Sequence, residues 1–163
     1  MDYPAFVSSI VKPGLEIHAS LDAVKCHILH MTLGIMDEFF EIERAVINHD
    51  EENIKEEIGD LLFYIEGCRL YFPRQSAIPP RPDMRETLGA LASTVKKWTM
   101  YNQPLDIERF NHLLLALQGY AEETAQCHHF DLKDVYAHNM KKLSARYPVG
   151  YSDRDALERK DKQ

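Results

Sequence analysis

Two acidic pairs carry the strongest chemical signal in this chain. Glu38 and Glu41 stand three residues apart in MDEFFEIERA, and Glu57 and Asp60 repeat that spacing in EEIGDLLF. Residues three apart share one helix face about a turn from each other, so each pair can aim two carboxylates at one point. The connection at 48–51 is short, so two helices bearing these pairs pack antiparallel and bring four acids to one level of a bundle. Gathered like charges are unfavourable, and a hard divalent cation with a preference for oxygen removes the penalty. Mg2+ is the natural candidate, with Mn2+ as its substitute. A single acidic pair is more often a solvated helix face. Here Glu38 sits between Met36 and Phe39-Phe40, and Asp60 runs into Leu61-Leu62-Phe63. Both pairs therefore border apolar faces, which favours a metal site over surface decoration. Glu43, Glu51, Glu52 and Glu56 read as surface charges.

The elements that must position these acids are helices. From about Leu15 to Ile47, apolar residues recur at threes and fours, and Gly34 marks a break within that stripe. Asn48-His49-Asp50-Glu51 reads as a turn, with Asp50 an N-cap and Glu51 and Glu52 complementing the next helix dipole. The second helix covers about 51–71 and stops before Pro73, and a loop follows from Gln75 to Pro82. Further helices are predicted at about 83–101, 106–128 and 132–147, separated by Pro104 and Asp131. Strands are not needed. The expectation is an all-α, antiparallel bundle of about five helices with a carboxylate-lined metal site, one domain over 1–163. Residues 1–14 read as an irregular arm and 152–163 as a charged tail. The fourth and fifth helices loosely echo the first two. In such a duplication Tyr120, Val135 and His138 would replace Glu38, Glu57 and Asp60, and the copy could not hold the same metal.

Composition narrows the function classes. The 163 residues carry a formal charge of −7, which argues against nucleic acid as a partner, since phosphate-backbone binding needs a basic face. No apolar run approaches the roughly 20 residues of a membrane span, and the N-terminus lacks the features of a signal peptide, so a cytoplasmic protein is expected. Cys26, Cys68 and Cys127 form no CxxC pair and read as buried thiols.

Asn139, Lys142 and Arg146 fall at i, i+3 and i+7 of the last helix, a face suited to three donors on a phosphate chain. The bland reading is that such cations complement the helix C-terminal dipole. Tyr64, His30 and His27 lie within a few turns of the acids and could line a pocket, although such residues are more often satisfied core or boundary groups. Trp98 and Tyr101 are better explained by packing. His128-His129 point about 100° apart on a helix and do not readily share an ion.

At this point a family resemblance emerges. MTLGIMDEFFEIERA followed by NIKEEIGDLLFYI resembles the ExxE and ExxD helices of the MazG-like all-α nucleoside triphosphate pyrophosphohydrolase superfamily. NMKKLSARYPVGYS resembles the N-x-x-K-L-x-x-R-Y-P ending of its short, single-domain phage and bacterial members. The resemblance covers 25–71 and 132–152, and about 75–130 has no counterpart in the shortest members. It implies that Glu38, Glu41, Glu57 and Asp60 hold Mg2+, and that water attacks the α-phosphorus of a nucleoside triphosphate to release monophosphate and pyrophosphate. Glu41, and next Glu38, would be the catalytic acids. Asn139, Lys142 and Arg146 would grip the phosphates, with Tyr64, His30 and His27 at the nucleoside end. Family members commonly complete the pocket with a neighbouring subunit, so a homodimer or homotetramer is implied, unless 83–147 fill that role within one chain. The competing readings are a nucleotide phosphatase releasing orthophosphate and an inactive helical interaction module. A di-iron carboxylate bundle would need Glu-x-x-His pairs that these motifs lack.

Overall fold

Aspartate side chains start most of the helices. In the computed structural model, which describes residues 2–74 and 83–159, helix α1 (Tyr3–Ile10) is capped by Asp2, and α2 (Gly14–Ser20) follows Pro13 without a side-chain cap. Asp22 then opens α3 (Ala23–Asn48), Asp50 opens α4 (Glu51–Arg69) and Asp83 opens α5 (Met84–Tyr101). Asp106 and Asp131 do the same for α6 (Ile107–Cys127) and α7 (Leu132–Arg146), and Ser152 for α8 (Asp153–Glu158). Each cap gives a carboxylate or hydroxyl oxygen to an N–H that the first turn leaves unpaired, worth about 1 kcal/mol. His49 and Asn102 end α3 and α5 in the left-handed region, at φ 55° and 53°.

The fold is all-α, and the five long helices α3–α7 are the five expected. Three short helices add to them. The segment expected as an irregular arm holds α1, because Pro4 falls in the first turn, where its missing N–H costs nothing. The helix expected over 15–47 is two helices, since the chain turns at Leu21 and Asp22 recaps it. No break occurs at Gly34. A Cβ there would stand 2.4 Å from the Tyr64 ring, so this glycine admits Tyr64 against α3. The charged tail contains α8. The loop expected from Gln75 to Pro82 and residues 160–163 lie outside the described residues.

α3 and α4 form an antiparallel hairpin, with α5 against α3, α6 against α5 and α4, and α7 against α4. The core runs through Ile28, Ile35, Phe39 and Ile42 of α3, Ile54, Ile58, Leu61 and Ile65 of α4, and Phe110, Leu114 and Leu117 of α6. Each such side chain contributes about 1.5–3 kcal/mol on burial, which lets the hairpin tolerate unfavourable charge on one face. α6 and α7 each lie on α4 and are not among the closely packed helix pairs, so they do not repeat the α3–α4 hairpin. Tyr120 donates instead to Glu43 Oε1 at 3.0 Å, and Val135 is core. Only Cys68 is buried, its thiol pushed up to about 12 by that burial. Cys26 and Cys127 are exposed, in the first turn of α3 and at the last residue of α6. Trp98 packs, with its ring 5.9 Å from that of Phe72. Among the described residues no helix is long and apolar enough to cross a membrane.

Candidate metal centre

The α3–α4 hairpin brings both acidic pairs together. Carboxylate oxygens of Glu38, Glu41 and Glu57 lie within 4.8 Å of one another, and so do those of Glu56, Glu57 and Asp60. Glu57 belongs to both groups and is only 6% exposed. Glu56, read from sequence as a surface charge, is part of the cluster. Glu41 is the outward member and accepts from Arg44 Nη2 at 2.6 Å.

α7 completes the arrangement from behind. Asn139 Nδ2 donates to Asp60 Oδ1 at 2.6 Å, and the Lys142 ammonium donates to Asp60 Oδ2 and, at 3.2 Å, to Glu56 Oε1. Asn139 and Lys142 are both buried, so these donors are already engaged by carboxylates. The close approach depends on Gly59, where an added Cβ would stand 3.0 Å from Asn139 Cβ. The sequence signal for this was a glycine next to the ExxD acid, paired with donors three apart on a later helix.

Crowding shows in the proton affinities. Burial pushes Glu38 up to about 9, helped by the charges of Asp60, Glu57 and Glu41 and by a hydrogen bond with Glu57. Glu57 rises to about 7, again mainly from burial, with the hydrogen bond to Glu38 opposing it and the charges of Glu41, Asp60 and Glu56 adding to it. Glu38 Oε2 is a buried oxygen that meets no donor. A set of clustered carboxylate oxygens, one of them orphaned, fits a hard divalent cation. The residues present therefore suit Mg2+ or Mn2+.

The cluster faces a cleft of about 740 Å³, within the range of small-molecule sites. His27, His30, Tyr64 and Arg146 line it together with Glu38, Glu41, Glu57 and Asp60. The His30 and Tyr64 rings meet edge-on with centroids 6.0 Å apart. Burial, with Glu38 and Asp60 nearby, pushes the Tyr64 phenol up to about 12. His27 is tied at Nε2 to the Gly67 carbonyl at 2.9 Å and packs on Tyr71. Sequence reasoning missed Asp37, Tyr147, Tyr151 and Arg159, which also line the cleft. Tyr147 belongs to the RYP ending and could have been found there, whereas Tyr151 and Arg159 fall at or beyond the edge of the tail and carry no periodic signal.

No curated protein and no solved structure matches the chain. Residues 27–67 match the family model of the MazG nucleotide pyrophosphohydrolase domain, a span that holds all four acids, and over this hairpin the chain is similar to that domain.

Proposed function

We propose that the protein is a Mg2+-dependent nucleoside triphosphate pyrophosphohydrolase that converts a ribo- or deoxyribonucleoside triphosphate to its monophosphate and pyrophosphate. The observation that carries this reading is the convergence of Glu38, Glu41 and Glu57, with Asp60 beside them, at the floor of the cleft. Glu38, Glu41, Glu57 and Asp60 would hold Mg2+ or Mn2+. When bound there, the ion supplies charge neutralisation at the phosphate oxygens and a lowered pKa for water.

The chain's own groups supply the rest. Glu41, the acid that reaches outward, orients the attacking water and takes its proton as the oxygen joins the α-phosphorus. The bond from that phosphorus to the bridging oxygen breaks, and pyrophosphate leaves. Glu38 is the alternative acceptor. Arg146 donates to the phosphates in the bidentate manner of a guanidinium. Asn139 and Lys142, expected on the phosphates, act through Asp60, whose carboxylate they hold in place. Tyr64, His30 and His27 face the nucleoside. Exposed Leu33, Phe40 and Ile47 on α3 suit the homodimer or homotetramer that the family resemblance implies.

The test is turnover of ribo- and deoxyribonucleoside triphosphates, with and without Mg2+, resolving monophosphate, pyrophosphate and orthophosphate. Mg2+-dependent monophosphate plus pyrophosphate is expected. Diphosphate plus orthophosphate would favour a phosphatase, and no turnover would favour a helical interaction module. Glu38→Gln and Asp60→Asn should each abolish turnover while circular dichroism shows the helical fold retained. Activity surviving in both would end the proposal.

A further inference from the structure

We propose that the C-terminal segment from Tyr147 to Arg159 is a wall of the cleft and that Arg159 binds the polyphosphate of the substrate, favouring ligands with more than one phosphate. This rests on the nucleotide reading above and adds to it a residue and a selectivity.

The segment lines the cleft at Tyr147, Tyr151, Ala156 and Arg159. α7 ends at Arg146 with Tyr147 as its C-cap, and the chain reverses through Gly150, whose φ of 103° is open to glycine and strained for other residues. The Tyr147 and Tyr151 rings then meet with centroids 5.5 Å apart. Tyr151 Oη donates to Asp153 Oδ1 at 2.8 Å, and Ser152 Oγ accepts from the Asp155 N–H at 3.1 Å to start α8. An Arg154–Glu158 pair at 2.7 Å spans that helix. The result places Tyr151, Ala156 and Arg159 along the same cleft as the four acids. Arg159 also borders a neighbouring polar cavity of about 330 Å³ that Glu41 and Glu57 share. It therefore stands where the two spaces meet, beside the carboxylate cluster.

Charge decides what Arg159 does there. Five carboxylates line the cleft, Asp37, Glu38, Glu41, Glu57 and Asp60, and a polyanion enters only if cations answer them. Lys142 is spent on Asp60 and Glu56, and Arg44 is paired with Glu41 at 2.6 Å. Among the described residues, the arginines that line the cleft are Arg146 and Arg159. Arg146 is the last residue of α7 and Arg159 caps the C-terminus of α8. A guanidinium matches phosphate oxygens two at a time, so two of them suit a chain of phosphates better than a single one.

The experiment measures equilibrium binding, by calorimetry in Mg2+, of the α,β-imido analogues of the common deoxynucleoside triphosphates and of the matching monophosphates. Wild type, Arg159→Ala and Arg159→Lys are compared, with Mn2+ binding in the absence of nucleotide as a second readout. Arg159→Ala is expected to weaken binding of the triphosphate analogue about tenfold or more, to leave monophosphate and Mn2+ binding unchanged, and to be partly rescued by Arg159→Lys. Unchanged analogue binding in Arg159→Ala, or an equal loss for mono- and triphosphate, would overturn the assignment. Binding is read without turnover, so the two readings fail separately. A wild type that binds the analogue but hydrolyses no triphosphate refutes the reaction alone, and one that does not bind it refutes both.

Discussion

Stripping divalent ions from this protein should make its stability fall as pH rises, and Mg2+ should reverse that trend. Glu38 and Glu57 are raised from the usual carboxyl value of 4.5 to about 9 and about 7. A group whose folded-state pKa is raised contributes stability that is complete below the unfolded value and is lost as pH climbs through the folded one. In EDTA, Tm should therefore decline from about pH 5 to pH 9. A cation binding the ionised carboxylates must displace these protons, so its affinity should strengthen about tenfold per pH unit between 7 and 9 and more steeply below 7. At one hundred times its Kd the ion adds about 2.7 kcal/mol to the folded state, or roughly 5–10 °C in Tm for a chain of this size. Thermal scans at pH 6, 7, 8 and 9 in EDTA and in saturating MgCl2, with calorimetric titration of Mn2+, read both quantities. Equal Tm in EDTA and Mg2+ at pH 8, or an affinity flat in pH, would refute the reasoning.

Three other perturbations test the positioning of the cluster. Gly34→Ala puts a Cβ 2.4 Å from the Tyr64 ring, and should cost about 1–3 kcal/mol in urea unfolding and weaken nucleotide binding by displacing that ring. Lys142→Met leaves Asp60 and Glu56 without their ammonium and should cost about 3 kcal/mol. Because the ammonium no longer competes for Asp60, Mn2+ should bind this variant more tightly. Maleimide under native conditions should add to Cys26 and Cys127 but not to the buried Cys68, giving two adducts by intact mass.

The legible parts of this molecule are those set by local chemistry. ExxE and ExxD beside apolar runs identified the acids, because helical spacing alone puts such pairs on one face. The long helices were legible from Asp50, Asp131 and the apolar stripes. Local cues misled where their meaning depended on packing. Pro4 looked like a breaker but sits in a first turn. Gly34 looked like a break but makes room for a ring from the neighbouring helix. The apolar stripe hid the turn at Leu21, where Asp22 recaps the chain as α3. The roles of Glu56 and Arg159 could not be read, and Lys142, read as a phosphate donor, holds Asp60 and Glu56 instead. They follow from how α7 packs on α4 and how the segment after it lines the cleft, tertiary facts with no counterpart in spacing.

That packing explains how one small bundle tolerates so much negative charge at one level. Two overlapping groups of acids share Glu57, and they are answered in different ways. The group of Glu56, Glu57 and Asp60 is met by a cation of the chain, since Lys142 binds both Glu56 and Asp60 and Asn139 adds a donor to Asp60. Those two donors are engaged by Asp60 and Glu56, and the group of Glu38, Glu41 and Glu57 is answered at Glu41 by Arg44 from α3. Glu38 is left with an orphaned oxygen and a carboxyl pushed up to about 9. Two groups of similar composition thus diverge. The amine stabilises one permanently, while the other keeps its electrostatic cost and with it the capacity to take a divalent ion. A second lysine in place of that ion would make the hairpin more stable and, on this reading, inactive.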